Sequence, residues 1–276
     1  MIRTLLLTAC LAGTVITTVS AQTTPQVPAA PKAAQPPASA PLAKSAPPAV
    51  PAATPAAATV TVIPADCTQT ADRAKAIAAC TAAIKDSGKD KAKLSAVYEA
   101  RAAARSADGK PRDALADLSQ ALYSDPTNAA LWTKRADVRA GLGQHFRSAV
   151  DYSVALKYAP NTVSALLGRG DQYRRLGALP KAIEDADAVI KLDPKSATAY
   201  ANRAYAAQRY GNRDEQAIKD AEEAIKLDPK QALAYAARGF AKIKTDKQGA
   251  LSDLKKALEL DPKLDVVNDA MKKLSK

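Results

Sequence analysis

One stretch of the chain, AIEDADAVIKLDP, is written again with small changes as AIKDAEEAIKLDP and ALSDLKKALELDP, and three looser copies precede it. The six copies start at Ala76, Ala114, Ser148, Ala182, Ala217 and Ala250. Self-similarity at a nearly fixed period, here roughly 34 residues, indicates stacked units that each pack only on their neighbours. The sequence therefore predicts a repeat array rather than a domain with one large core.

The apolar residues of the chain are mostly small. Hydrophobic residues make up 47% of the sequence but aromatic residues only 4%, and alanine supplies much of the difference. Alanine is the strongest helix former, and its short side chain lets neighbouring helix axes approach closely. The composition thus favours thin layers of closely packed helices.

Residues 1–21 have the layout of a secretory signal peptide. Arg3 precedes an apolar run over residues 4–19, and the tripeptide VSA forms a small-x-small cleavage site before Gln22. We expect cleavage after Ala21 and export to the periplasm.

Two other interpretations of this segment stay open. The sequence LTAC ending at Cys10 resembles the lipobox of bacterial lipoproteins, in which Cys10 would carry the lipid that anchors the protein to a membrane. An uncleaved membrane anchor is the other alternative, but the apolar run is shorter than the roughly 20 residues that a helix needs to cross the hydrocarbon core.

Residues 22–64 form a low-complexity segment with eleven prolines, no acidic residue and only two charged side chains, Lys32 and Lys44. Such a segment buries too little apolar surface to offset the entropy of ordering, so we expect a disordered linker biased to polyproline II. It would hold the array away from a membrane or cell wall. A disordered tail without a partner is the alternative.

Cleavage of the signal peptide would leave two cysteines, Cys67 and Cys80. An even number of cysteines in an exported chain favours one disulfide between them, and two free thiols are the alternative. A metal site is not expected, because the chain has a single histidine, His145, far from both cysteines.

Five positions of each repeat unit are marked by residue type. Small residues mostly stand at positions 8, 20 and 27, and large residues stand at position 4, namely Tyr98, Trp132, Leu166, Tyr200 and Tyr235. Proline stands at position 32, as Pro126, Pro160, Pro194, Pro229 and Pro262. This pattern resembles the tetratricopeptide repeat family, whose repeat is an antiparallel pair of helices, A and B. The resemblance implies an all-α fold, a right-handed α-solenoid.

On this pattern, residues 95–264 hold five repeats. Residues 65–94 form a half repeat, with helix B alone, that caps the N-terminal end, and residues 265–276 form a C-terminal capping helix. In the capping helix we expect Val266, Val267, Ala270 and Leu274 to share the apolar face.

Position 7 is arginine and position 23 is aspartate in all five repeats. The arginines are Arg101, Arg135, Arg169, Arg203 and Arg238, and the aspartates are Asp117, Asp151, Asp185, Asp220 and Asp253. In an antiparallel helix pair the two positions lie at the same level, so the residues can pair. We therefore expect a structural ladder of ion pairs; a row of anion-binding arginines is the alternative.

The family resemblance implies that helix A lines a concave groove. The candidate groove residues on this chain are Lys134, Asp137, Asp171, Arg174, Arg175, Asn202, Tyr205, Arg209 and Phe240. A groove with Tyr205 and Phe240 beside Arg175 and Arg209 would hold a peptide with one acidic and one apolar anchor.

The sequence predicts no catalytic residues, no cofactor and no metal. His145 stands in a helix–helix turn without a recurring nucleophile or carboxylate nearby, and the nearby Gly-Leu-Gly sequence ends a helix instead of joining a strand to one. Nucleic acid is disfavoured by export and by the lack of a basic motif with interleaved aromatic residues.

We therefore expect a non-catalytic protein–protein interaction scaffold of the bacterial cell envelope, whose partner is a protein or peptide of unknown identity. Residues 65–276 carry 37 basic and 28 acidic residues, a net charge of +9. The alternative is a cell-envelope structural protein that binds wall or membrane polymers through its Ala/Pro linker and basic surface.

The signal-peptide assignment can be tested by mass. The exported chain should begin at Gln22 and carry no lipid, because the VSA site directs cleavage there. Intact mass spectrometry of the exported protein measures this, and a mass matching a chain that starts at an acylated Cys10 would contradict it.

Overall fold

The computed structural model describes residues 63–68, 71–211 and 213–274. The predicted signal peptide and all but the last two residues of the predicted linker lie outside these ranges. The described residues contain no strand. They form a short 3-10 turn (Ala65–Thr68) and twelve α-helices: α1 (Arg73–Asp86), α2 (Lys91–Ala107), α3 (Pro111–Ser124), α4 (Ala129–Gly141), α5 (His145–Tyr158), α6 (Val163–Arg175), α7 (Leu179–Leu192), α8 (Ala197–Tyr210), α9 (Asp214–Leu227), α10 (Ala232–Lys242), α11 (Lys247–Leu260) and α12 (Asp265–Leu274).

Consecutive helices pair as the repeat pattern predicts. The pairs α2/α3, α4/α5, α6/α7, α8/α9 and α10/α11 are the five repeats, and each pair also packs on the next. The predicted all-α solenoid of antiparallel helix pairs is thus confirmed. None of the described helices is both long and apolar enough to cross a membrane.

Local sequence signals set the helix ends. Helix A of repeat 2 is capped by Asn128, whose side-chain oxygen accepts hydrogen bonds from the first turn. The turn that ends the same helix contains Gly143, which adopts a positive φ of 71° that other residues rarely take. Helix α2 starts at Lys91, ahead of the predicted start of the first repeat at Ser95, because Asp90 caps it by accepting a hydrogen bond from the first turn.

The core is built mainly from alanine. Buried alanines line every repeat, and the largest fully buried apolar side chains are only Leu131, Leu254, Val97, Val189 and Val267. Helices approach so closely that a Cβ added to Gly168 would lie 2.3 Å from the ring of Tyr152, and one added to Gly239 would lie 2.8 Å from Leu254. Glycine at these positions makes room for a large side chain from the facing helix.

The N-terminal end is closed by a disulfide. Helix α1 has no helix A before it, and the 3-10 turn packs against α1 and α2 instead. Cys67 in this turn is bonded to Cys80 of α1, and both lie in an apolar cluster with Ala83 and Val97. The predicted pairing of the two cysteines is therefore present, and it holds the turn over the exposed end of the array.

The C-terminal helix α12 closes the other end. Val267 is buried against Ala236, Leu254 and Ala257. The expectation that Val266 shares this apolar face is wrong, because Val266 is exposed. Adjacent helical residues point about 100° apart, so a short helix that buries Val267 turns Val266 away from the core.

The predicted ladder of ion pairs is confirmed in all five repeats. Each position-7 arginine donates from Nε and Nη2 to the two carboxylate oxygens of its position-23 aspartate, over distances of 2.6 to 3.0 Å. Paired hydrogen bonds of this kind fix the relative orientation of the two groups. The five aspartates are buried, so each carboxylate needs a cation beside it, and Arg105 and Arg139 add a second one at Asp117 and Asp151.

The ladder also joins neighbouring repeats, which the sequence pattern alone did not indicate. The remaining nitrogen, Nη1, of Arg135 and Arg169 donates to a serine, Ser119 or Ser153, in helix B of the preceding repeat. Arg203 donates from Nη1 to Asp187 over 2.6 Å. Each of these arginines therefore contacts three helices. The hydrogen bonds from Arg203 to its buried aspartate raise the pKa of Arg203 above its ordinary value.

Removing one member of the ladder should cost more than removing an exposed ion pair. Arg203→Ala leaves the buried Asp220 with the hydrogen bond from Gln216 but without a cation, and it should lower the free energy of unfolding by about 2 to 4 kcal/mol. The double variant Arg203→Ala/Asp220→Ala should cost less than the sum of the single changes, because the second change removes the unpaired charge. Urea unfolding of the four proteins measures this cycle.

Asp187→Ala serves as the matched control for this cycle. Asp187 contacts the same arginine, but its side chain is 44% exposed, so its loss should cost less than about 1 kcal/mol. Strictly additive effects of Arg203→Ala and Asp220→Ala would contradict a structural role for the pair.

Candidate binding groove

A cavity with a volume of about 720 Å³ lies on the face of the array lined by α6, α8 and α10. Its apolar floor consists of Leu179, Tyr205, Leu233, Ala236, Leu264, Val266 and Val267. Its charged rim consists of Arg174, Arg175, Arg209 and Lys263, with His145, Asp261 and Asp265. We call this cavity the groove. An apolar floor with a few charged groups at the rim is typical of ligand sites.

Four of the nine predicted groove residues line this cavity: Arg174, Arg175, Tyr205 and Arg209. Phe240 lies behind them, where its ring packs edge-on against Tyr205 at a centroid distance of 6.3 Å. Asp171 is the acidic partner of Arg174 and Arg175. Phe240 and Asp171 thus support the lining without belonging to it.

The other three predicted residues have contacts elsewhere. Lys134 pairs with Glu99 of the preceding repeat. Asp137 accepts a hydrogen bond of 2.5 Å from the phenol of Tyr152, and burial together with this bond raises the pKa of Tyr152. Asn202 is buried, with 5% of its surface exposed. A contact between any of the three and a ligand stays a prediction.

The rim arginines differ in how far their charge is compensated. Arg174 and Arg175 share the carboxylate of Asp171, and Arg174 also lies over the ring of Tyr205 at 5.2 Å. The Nε atom of Arg174 is buried and has no hydrogen-bond partner. Arg209 is exposed and forms no ion pair within the described part of the chain. The groove therefore offers cationic donors that are not fully engaged.

Burial by itself would raise the pKa of Asp171, but the charges and hydrogen bonds of Arg174 and Arg175 outweigh it. The pKa of Asp171 consequently lies below its ordinary range. The carboxylate stays ionised at neutral pH and holds the two guanidinium groups at the rim.

Sequence reasoning missed the two ends of the groove. His145, which the sequence places in the turn of repeat 2, is the first residue of α5, and its Nδ1 lies 2.8 Å from Oε1 of the buried Gln172. Asp265, Val266 and Val267 come from α12, beyond the last repeat. No residue pattern signals that these segments line one cavity, because the curvature of the stacked repeats decides it.

A second cavity, of about 220 Å³, lies beside the disulfide at the N-terminal end. It is lined by Cys67, Thr68, Arg73 and four alanines of α2, so it offers few polar groups that could orient a ligand. Among the residues that the structure describes, no group of three or more His, Cys, Asp or Glu side chains is placed to hold a metal ion.

Comparison with known families gives one match. Residues 197–231, which span α8, α9 and the turn that follows, match a family model described as tetratricopeptide repeat. No curated protein sequence matches the chain at a significant level.

Solved structures with similar folds cover more of the chain. MamA from Desulfovibrio magneticus RS-1 is 22% identical with a TM-score of 0.55, over 62% of this chain and 97% of that one. YrrB, described as a TPR protein with an unusual peptide-binding site, is 19% identical with a TM-score of 0.55, over 70% and 97%. A tetratricopeptide repeat protein from Parabacteroides merdae is 21% identical with a TM-score of 0.55, over 75% and 93%. At these identities the likeness concerns the fold alone.

The lowered pKa of Asp171 predicts a pH-dependent contribution to stability. A carboxylate whose pKa is lower in the folded state than in the unfolded state stabilises the folded state. This stabilisation is complete above the unfolded-state pKa, near 3.9, and it is lost as the pH falls through the folded-state pKa. Asp171→Asn should therefore lower the free energy of unfolding by roughly 1 kcal/mol at neutral pH, and by less in acid. Urea unfolding of both proteins at neutral pH and near pH 3 measures the difference. A difference that stays constant would show that the charge of Asp171 is not responsible.

Proposed function

We infer that this chain, a tetratricopeptide repeat protein in fold and in the sequence of its fourth repeat, is a non-catalytic scaffold that binds a protein or peptide in the groove. One observation carries the proposal. The groove joins an apolar floor at Tyr205 and Leu233 to cationic side chains at Arg175 and Arg209 within one cavity.

The chemistry of the groove favours a ligand segment with two neighbouring anchors. An apolar side chain would bury its surface against Tyr205 and Leu233. A carboxylate beside it would pair with Arg209, which is exposed and has no acidic partner among the described residues. A volume of about 720 Å³ accommodates only a few residues, so the groove suits a short peptide segment or a projecting loop.

The printed description of YrrB gives an independent reason to expect a peptide ligand. That protein is described as having an unusual peptide-binding site, and its fold is similar to that of this chain. The proposal transfers only the class of ligand, because the two chains share 19% of their residues.

The proposed location is the bacterial cell envelope, with the exported chain in the periplasm. Support comes from the signal-like sequence of residues 1–21 and from the disulfide, which suits an oxidising compartment. In this proposal residues 22–64 act as a spacer between the array and the membrane or wall.

A different class of function also has an observation in its favour. The net charge of +9 over residues 65–276 would attract anionic wall or membrane polymers. In that case the protein is structural, the linker and basic surface carry the binding, and the groove is unused.

The two functions are separated by Arg209→Glu in the full chain. Arg209 is exposed, so its substitution should leave the fold intact while it repels an acidic ligand anchor. Affinity capture from the native envelope should recover a partner with the parent chain and at least about tenfold less of it with Arg209→Glu. Mass spectrometry identifies the partner, and titration with its isolated binding segment gives the two affinities.

Lys195→Glu is the matched control, because it makes the same change of charge at an exposed turn on the opposite edge. The scaffold proposal predicts partner recovery near the parental amount for Lys195→Glu. Equal losses in both variants would favour charge-driven binding of envelope polymers, and parental recovery with both would mean that Arg209 does not contact the partner.

A further inference from the structure

A second surface lies outside the groove, along the edge where each helix A turns into its helix B. Three apolar side chains there are uncovered: Phe146 is 70% exposed, Leu176 43% and Tyr210 51%. They belong to repeats 2, 3 and 4. Stacked repeats place equivalent turns side by side, so the three residues form one row. Phe146 and Leu176 already border a common shallow depression.

These apolar residues have no evident role in the fold. Leu176 directly precedes Gly177 and Tyr210 directly precedes Gly211, both of which have a positive φ where helix A ends. Phe146 stands in the first turn of α5, and none of the three side chains belongs to a hydrophobic core cluster of the described residues. The opposite edge also exposes Tyr123, Tyr158 and Leu192, but Asp125 and Asp193 stand in its turns, so its apolar side chains are accompanied by negative charge.

Three exposed cations accompany the row: Arg147, Lys181 and Arg213. The guanidinium of Arg213 lies 5.3 Å from the ring centroid of Tyr210. The turns of repeats 2 and 3, residues 141–147 and 175–181, include no acidic residue. In the turn of repeat 4, an Asp-Glu pair follows Arg213. In the part of the chain that the structure describes, none of the three cations forms an ion pair. The positive charge of the edge is therefore greatest at repeats 2 and 3.

We propose that this edge, formed by Phe146, Arg147, Leu176, Lys181, Tyr210 and Arg213, docks on an anionic lipid surface. The apolar and aromatic tips enter the headgroup layer, and the cations lie against the lipid phosphates. Aromatic residues and arginine suit this interface because each has an apolar body and a polar end. Positive side chains near an anionic leaflet add attraction that depends on salt.

The shape of the edge favours a lipid surface over a partner helix. The three apolar side chains come from successive turns, one repeat apart, and the shallow depression that Phe146 and Leu176 border does not include Tyr210. A level lipid surface can meet all three at once. None of the six edge residues lines the groove, so the inference goes beyond the proposed scaffold function and does not depend on it.

Site-specific fluorescence in the full chain tests the proposal. Trp132, the only tryptophan, is first replaced in Trp132→Phe, and the probe is then introduced as Phe146→Trp at the edge. The matched control is Tyr123→Trp in the same background, because Tyr123 is 81% exposed and lies at the opposite edge, at the end of α3. Residues 4–19 are the same in both proteins, so their own contact with lipid affects both equally. Circular dichroism verifies the fold of each variant.

The vesicles contain phosphatidylglycerol with brominated acyl chains, compared with brominated phosphatidylcholine alone. We expect bromine quenching and a blue shift of emission for the probe at position 146 with the anionic vesicles, and neither effect for the probe at position 123. Raising the salt from about 0.1 M to about 0.5 M should reverse the quenching, because it screens the contribution of the cations.

Charge substitutions provide a second measurement. Arg147→Gln/Lys181→Gln/Arg213→Gln should lower the partition coefficient onto anionic vesicles about a hundredfold. Lys157→Gln/Lys191→Gln/Lys195→Gln removes the same charge from exposed lysines at the opposite edge and should change the coefficient much less.

Three outcomes would overturn the proposal. The first is the absence of quenching at position 146. The second is a lack of selectivity, seen as equal quenching at positions 146 and 123, or as equal quenching of position 146 by neutral and by anionic vesicles. The third is a concentration-dependent dimer without vesicle binding, abolished by Phe146→Ser/Leu176→Ser/Tyr210→Ser, which would assign the edge to a second copy of the chain.

Discussion

The array is held in register by one repeated interaction, the paired hydrogen bonds between the arginine of helix A and the aspartate of helix B. Each aspartate is buried and each arginine is mostly buried, so neither group would be tolerated there alone. The two parallel hydrogen bonds fix the level of one helix against the other. The third nitrogen of Arg135, Arg169 and Arg203 reaches the preceding repeat, so the same residue sets the stacking of neighbours.

A core of small side chains follows from this arrangement. Helices joined by short ion pairs lie close together, and alanine and glycine are the residues that fit between them. Apolar burial per repeat is therefore modest, and the ends of the array need their own closure. The disulfide between Cys67 and Cys80 closes one end, and the burial of Val267 closes the other.

The regular array then presents two surfaces of different character. One surface is the groove, which brings Tyr205 and Leu233 together with the rim arginines, and in our proposal it binds a short segment with an acidic and an apolar anchor. The edge of the A–B turns carries apolar tips with exposed cations and no enclosing walls.

The amino-acid sequence was sufficient to predict the repeat, the helix pairs, the pairing of Arg203 with Asp220 and of its equivalents, and the disulfide. These features depend on residues at fixed spacing, and a periodic fold converts spacing directly into contact. It also supplied Arg174, Arg175, Tyr205 and Arg209 of the groove, because the family pattern places them on the inner side of helix A. The packing of the whole array was needed to show that His145 and α12 also line the groove, and that Asn202 is buried. Those placements depend on the curvature summed over several repeats and on the rotation of one capping helix, and neither quantity is written in any local pattern.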